Sequence, residues 1–587
     1  MKKFSFFKKS LLTISSSSLL LGAGFGFIYN LSSCGNNFSN YVDILSLNDF
    51  HGKVEPVNNQ DGSINKYGVE RLSYTVDQVR RDNKKNTNDD YSTHIISAGD
   101  TFQGSAFSNI PHGKSTAELL DTVGIRYSAV GNHEFDWSDE LLSGIAPSSG
   151  QIYNGTFSEW GNFEFLACNI NYRSSGDRVE WALPYSLLYN EYLSIVLIGA
   201  TTTDVPHDTA GEWVNQLYEF RNIADSVNEV VEEIQNDETL NPDAILLVAH
   251  EGDYDTRDGG TLTDIVKNIK GVDGVFSGHS HQKYQKQVEN ADGNLIPIIQ
   301  AGADGEALSK IRLNYDKNNQ DGQKLINVQT EIVETTKKSL SEIRNSTWQQ
   351  VQSTVETYSR WDTQLQEMLQ QKLFTSQYAY SQTYYLNEYV SSYPYQTDLG
   401  QCFCKLLLQY INTVVVPAKS GEVQPVNFAM WNSGGLRDSL PEGEITLSTL
   451  YNVLPFDNWT YTVKTNIGNL KKYYADLWNN NNEIVKFYGY GLDFNKPLTG
   501  SQAVANDFNF YDWDTKITIS DEQEIWVAMN NYMFTHLDSD FFIDDTADGY
   551  YNDGADLRDA IISAINQNYP EGNLDYVVER MFNIVSE

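Results

Sequence analysis

Val42-Asp43-Ile44-Leu45-Ser46-Leu47 runs directly into Asn48-Asp49-Phe50-His51, and the junction between the two stretches decides the fold. An apolar, partly β-branched run reads as a strand, and the polar residues behind it read as a loop leaving the strand's carboxyl end. The pattern recurs at His94 to Ala98 before Gly99-Asp100, at Ala244 to Ala249 before His250-Glu251, and at Gly274 to Ser277 before Gly278-His279-Ser280-His281. A fifth block, Gly131-Asn132-His133-Glu134, completes the set. Open α/β sheets place their ligands at this end of the strands. Oxygen from Asp and Asn mixed with imidazole nitrogen suits divalent Zn, Mn, Co or Fe, and the five blocks contain no Cys, which argues against a structural zinc knot. Together they predict an α/β domain holding two metal ions for phosphoester hydrolysis.

The chain has 587 residues, more than one hydrophobic core usually serves, so two domains are expected. A hydrophobic fraction of 40% argues against wholesale disorder. The net charge of −37 repels a polyanion and argues against duplex nucleic acid as a partner, while leaving room for a small phosphorylated ligand drawn to metals. Lys2, Lys3, Lys8 and Lys9, then the uncharged stretch Leu11 to Tyr29, then Leu31-Ser32-Ser33-Cys34 read as a targeting segment. It resembles a bacterial lipoprotein signal, which implies a lipidated Cys34, a membrane anchor and an extracellular-facing protein. An uncleaved anchor, or a secretory signal with an incidental Cys, fits the same residues.

The expected organisation is a signal peptide at 1–33, a polar spacer at 34–40, a metal-binding domain at 41–335, a linker helix at 336–374 and a second domain at 375–587. The helix rests on Leu340 to Leu373, which lacks Gly and Pro and repeats Trp348, Val351, Val355, Tyr358, Leu365 and Met368 on one face. Cys168 is expected to be buried, and Cys402 and Cys404 are too close for a comfortable disulfide.

The five blocks, in this order, resemble the calcineurin-like metallophosphoesterases, and with the carboxyl-terminal motifs below they are similar to the 5′-nucleotidase family. The resemblance implies a four-layer α/β/β/α sandwich followed by a smaller α/β substrate-specificity domain of α+β character. It implies that Asp49 and His51 bind one metal with His281, that Asn132, His250 and His279 bind the other, and that Asp100 bridges them. Two cations so held share a water, lower its pKa and direct hydroxide at phosphorus. His133 would face the substrate phosphate, oriented by Asp136, and stabilise charge or protonate the leaving oxygen. Asp136 also fits the plainer role of a helix N-terminal carboxylate.

Asn432-Ser433-Gly434-Gly435-Leu436-Arg437 and Leu454-Pro455-Phe456-Asp457-Asn458 resemble the family's substrate-binding signature. Amides at Gly434 and Gly435 can approach an anion, and Arg437 can clasp phosphate in two places. The resemblance implies a nucleobase held between Phe456 and Tyr532, ribose hydroxyls on Asp538, and a contact from Asn458; core packing explains either ring equally well. The chain departs from the family at His536-Leu537-Asp538, where paired glycines are usual, and it has no Arg between Arg360 and Arg437. Lys405 is one candidate substitute for the missing charge. The leading reading is a nucleotide phosphohydrolase. The alternatives are hydrolysis of a nucleotide sugar or cyclic nucleotide, and a surface-binding lipoprotein with vestigial catalysis.

Overall fold

The computed structural model describes residues 40–58, 63–137, 163–208, 214–253, 260–319, 324–382, 396–419, 423–481, 485–495, 502–543, 550–579 and 581–584. The leader, Cys34 and the spacer through residue 39 lie outside the described residues.

Two sheets stack face to face in the first half. One has seven strands in the order Leu325–Glu334, Ala307–Tyr315, Tyr41–Leu47, Thr93–Ser97, Tyr127–Ala129, Glu164–Leu166 and Ala182–Leu183. The other has six, ordered Lys283–Glu289, Leu295–Ala301, Gly274–Ser277, Ala244–His250, Ser194–Thr201 and Tyr185–Tyr189. Side chains alternate across a strand, so each sheet sends one set inward and the next outward. Val42 and Ile44 of the first sheet meet Ile195, Leu197, Leu246 and Val248 of the second in one core. On the outer faces, Leu45 and Leu47 pack with residues of helices Val69–Thr87, Lys114–Val123 and Gln349–Leu369, while Val196, Ile198, Ile245 and Leu247 pack under helices Ile223–Asn236 and Leu262–Lys267. The layers are therefore α/β/β/α, as expected. The central strands of both sheets are buried on both faces and pair in parallel, which explains why they read as near-continuous apolar runs.

One helix differs from the sequence expectation. Instead of a single span from Leu340 to Leu373, the chain forms Leu340–Arg344, breaks, forms Gln349–Leu369, and then extends as strand Lys372–Ser376. Ser339 and Glu342 build a capping box at the start of the short helix. At the break, Ser346 accepts the Trp348 amide at 3.2 Å, and the Gln352 side chain donates to the Ser346 carbonyl at 2.7 Å. The Ser346 hydroxyl competes for a backbone group in this way, ending a helix that lacks any Gly or Pro. The buried stripe of the long helix is Val351, Thr354, Tyr358, Leu365 and Leu369. Met368 is 46% exposed, because one residue rotates the side chain by about 100° off that stripe.

The second half centres on a five-stranded sheet ordered Lys486–Tyr488, Phe428–Trp431, Glu524–Asn530, Trp459–Asn466 and Tyr550–Asp556. Alternation again divides its faces. Ala429, Trp431 and Ala528 pack with helices Asp398–Tyr410 and Leu557–Asn568, and Phe428, Met430, Val527 and Met529 pack with Ile467–Asn481. The described residues from Asn40 onward form one compact unit. Cys168 is buried, and Cys402 and Cys404 are buried free thiols on one helix.

Candidate metal centre and substrate cleft

All five blocks sit at carboxyl ends of strands, three in the seven-stranded sheet and two in the six-stranded one. Because the sheets stack, these ends meet. The ligating atoms of Asp49, His51 and His281 lie within 4.8 Å of one another, as do those of Asp100, His250 and His279. Between the groups, Asp100 Oδ2 is 3.2 Å from His250 Nε2 and 3.9 Å from His51 Nε2. Asn132 Oδ1 stands 3.1 Å from His250 Nε2. The structure thus brings all seven expected donors together.

Several features fit these residues to two divalent cations. His51 Nε2 and His281 Nε2 point at each other across 3.1 Å, an arrangement natural for nitrogens converging on a shared ion. The far nitrogens are pinned: His51 Nδ1 lies 3.0 Å from the Gln103 carbonyl and His250 Nδ1 lies 2.8 Å from the Ala98 carbonyl, which fixes each tautomer and ring plane. Space is cut to match. A Cβ on Gly131 would stand 2.2 Å from Asp100 Oδ1, and one on Gly99 2.5 Å from His250 Nδ1. Asp49, His51, Asp100, His279 and His281 all have positive φ, between 48° and 70°. Each such residue costs on the order of 1–3 kcal/mol, and strain of this kind gathers at functional sites. Backbone bonds hold it in place, among them Asp49 N to the Gly99 carbonyl at 3.1 Å and His51 N to the Asp100 carbonyl at 3.0 Å.

Glu134 belongs to the third block, yet sequence reasoning gave it no task. Its buried carboxylate accepts the amides of Asp100 at 3.0 Å, Thr101 at 2.8 Å and Gly131 at 2.7 Å, tying two ligand-bearing loops together. Burial, and then the Asp100 charge, push its carboxyl up to about 7.

His133 donates its backbone amide to Asp100 Oδ1 at 2.9 Å, and its Nδ1 lies 2.7 Å from Asp136 Oδ2. Burial disfavours its charge, but Asp136 and Asp100 together outweigh burial and raise the imidazole to about 9. Phe456 lies on the other side of the ring, nearly parallel at 21° with centroids 5.1 Å apart, and the Arg437 guanidinium sits 5.1 Å from the Phe456 ring centre. The two halves of the chain meet here. A cleft of about 370 Å³ is lined by Asp100, Asn132, His133, Asp136, His279 and His281 from the first half and by Asn432, Gly434, Arg437, Phe456, Asn458 and Tyr532 from the second.

Three expected contacts stand elsewhere. Gly435 is buried behind the cleft, where a Cβ would meet Trp431 Nε1 at 2.8 Å. Asp538 is exposed and does not line the cleft. His536, in place of a glycine, stacks on Tyr532 at 4.3 Å between centroids, and the chain then turns through Ser539–Phe541 with the Phe541 amide on the Asp538 carbonyl at 2.9 Å. Lys405 stands 3.8 Å from the Tyr576 ring centre and so does not replace the missing arginines in the cleft.

The loop carrying Phe456 is held by residues the sequence did not flag. Gln103 Nε2 and Asn109 Nδ2 both donate to the Pro455 carbonyl, at 2.9 and 2.7 Å, and Trp137 Nε1 donates to Asp457 Oδ2 at 2.9 Å. Arg558 braces the loop from behind, donating to the carbonyls of Leu454 and Phe456 and pairing with Asp457. Gln103 thereby touches both halves of the site, its carbonyl at His51 and its amide at Pro455.

Residues 42–283 match the family model for calcineurin-like phosphoesterases, and residues 389–543 match that for the 5′-nucleotidase C-terminal domain. The chain is 26% identical over 432 residues to a Bacillus subtilis (strain 168) protein named endonuclease YhcR, covering 71% of this chain but only 31% of that relative. It is 25% identical over 465 residues to the snake venom 5′-nucleotidase of Gloydius brevicauda, covering 75% of this chain and 70% of the relative. The crystal structure of a 5′-nucleotidase precursor from Thermus thermophilus shares the fold, with a TM-score of 0.69 at 18% identity over 93% of this chain and 100% of that one.

Proposed function

This chain belongs to the 5′-nucleotidase family of calcineurin-like phosphoesterases, a hydrolase by that membership, and we propose that it releases phosphate from 5′-nucleotides outside the cytoplasm. The observation that carries the reading is the cleft in which four of the seven metal-donor side chains, Asp100, Asn132, His279 and His281, face Arg437, Phe456, Asn458 and Tyr532 from the other half. We take 41–335 as the catalytic domain, 336–374 as the connection and 375–587 as the substrate domain.

In this proposal Asp49, His51 and His281 hold one divalent ion, Asn132, His250 and His279 the second, and Asp100 bridges. When bound, such ions neutralise phosphate oxygens and acidify a water held between them. The chain's own groups do the rest. Arg437 and the Gly434 amide receive the phosphate, and Phe456 and Tyr532 present flat faces to a base. Asp136 fixes His133 so that Nε2 is the nitrogen left for a phosphate or leaving oxygen. Glu134 keeps the Asp100 and Gly131 loops in register.

The test is a phosphate-release screen over nucleotides, nucleotide sugars and cyclic nucleotides. Chelation is expected to abolish turnover, and Mn, Co or Zn to restore it. In the same screen Phe456→Ala should raise KM for nucleotides about tenfold or more while sparing a small generic phosphodiester, since stacking is worth about 1–3 kcal/mol per base. Turnover that survives chelation sinks the metal-dependent reading, and equal losses on both substrates mean that Phe456 supports the fold instead.

Location outside the cytoplasm rests on the basic, apolar leader and its Leu31-Ser32-Ser33-Cys34 ending. Lipid labelling of the expressed protein is expected and should vanish in Cys34→Ala. Mass spectrometry finding an intact leader with unmodified Cys34 would refute it.

A further inference from the structure

A second cleft, of about 210 Å³, adjoins the first and shares His281, Arg437 and Phe456 with it. Its other polar walls include Lys53, Lys66, Asp304 and Asp438, all outside the motifs that carry the family resemblance. Three cations thus face two carboxylates, in a chain whose net charge is −37. Local charge runs against the whole. Lys66 is paired with Asp304, whereas neither Lys53 nor Arg437 forms an ion pair among the described residues. Lys53 is instead positioned by the Gly104 carbonyl, and Asp304 is fixed by its own amide on the Asp49 carbonyl at 2.8 Å. Cations held in place by neighbours, with a surplus of positive charge, form a preorganised receptor for an anion.

We propose that this cleft is a phosphate subsite, in which Lys53, Lys66 and Arg437 hold a tetrahedral phosphoryl group beside the one bound at the metal centre. It rests on the proposed phosphohydrolase reading only for its neighbour. The group can come from two sources: the second phosphoryl group of a diphosphate substrate, or the orthophosphate just released. Arg437 and Phe456, on the wall common to both clefts, would touch either.

The experiment compares metal-loaded wild type with Lys66→Met, Lys53→Met and Lys53→Arg, each checked for metal content because Lys53 lies two residues from His51. Two quantities are read: the ratio of kcat/KM for a nucleoside diphosphate over the monophosphate, and the inhibition constant of orthophosphate. A charge-assisted contact to phosphate is worth roughly a factor of ten. If the substrate supplies the group, the ratio falls about tenfold in both Met variants and recovers in Lys53→Arg. If the product supplies it, the inhibition constant rises about tenfold and the ratio stays. With metal content intact, an unchanged ratio together with an unchanged inhibition constant overturns the subsite. Should wild type hydrolyse neither nucleotide, the proposed function fails separately, and calorimetric binding of orthophosphate to wild type and Lys66→Met decides the subsite alone: equal affinity rejects it, and weaker binding by Lys66→Met supports it.

Discussion

Asp100→Asn is expected to lower kcat/KM on the order of 10³-fold and to reduce metal content, more damage than any other single substitution should do. Among the described residues, Asp100 is the only donor placed between the two groups, with Oδ2 near both His250 Nε2 and His51 Nε2 and Oδ1 taken by the His133 amide. Asn keeps the shape but replaces an anionic oxygen with an amide, so both proposed ions lose one shared negative ligand. Charge stabilisation by bound metal is worth several kcal/mol, and about 1.4 kcal/mol is a decade in rate. The fold should survive, because Asn is among the residues that tolerate the positive φ of 50° found here. Metal analysis, kinetics and a thermal melt on one preparation separate these effects. A variant with a wild-type melt, full metal content and undiminished turnover would remove Asp100 from the mechanism.

How much of this was legible in the sequence depended on distance along the chain. The metal donors could be read because each is local: an apolar run fixes a strand, and the next few residues must lie at its end. The α/β/β/α stacking brings those ends together with no further instruction. Gln103 was not legible, since its partner Pro455 lies 352 residues away and neither residue has a chemistry that announces the contact. Asp538 stands outside the cleft for a different reason. Its spacing fits the motif, but His536 puts an aromatic ring where a glycine is expected, and that ring stacks on Tyr532. The long helix is shorter than its periodicity predicts, because apolar periodicity carries no record of Ser346 bonding to the backbone two residues on. Lys53 and Lys66 carry no signal in the sequence because charge counted along the chain is dominated by its acids, while the cleft collects its cations from separate segments.

His133→Ala is expected to leave metal content intact and to lower kcat by about 10²–10³, the scale of one lost transition-state donor or general acid. The geometry separates His133 from the donors beside it. Its backbone amide goes to Asp100 and its Nδ1 to Asp136, and although its ring lies 5.4 Å from that of His51, it belongs to neither donor group. Asp136 fixes the tautomer of the ring, the condition for a group that acts on a phosphate or leaving oxygen at a fixed place. Asp136→Asn should then show a smaller loss of kcat with unchanged metal, because the amide can still hydrogen-bond Nδ1 but no longer favours the imidazolium. Phe456→Ala should add little to His133→Ala on a small phosphodiester, where the ring has no base to stack, whereas on a nucleotide the two losses should accumulate. Loss of metal in His133→Ala would make the residue a ligand. Full kcat with full metal would leave its bond to Asp136 a structural tie between neighbouring residues of one short turn.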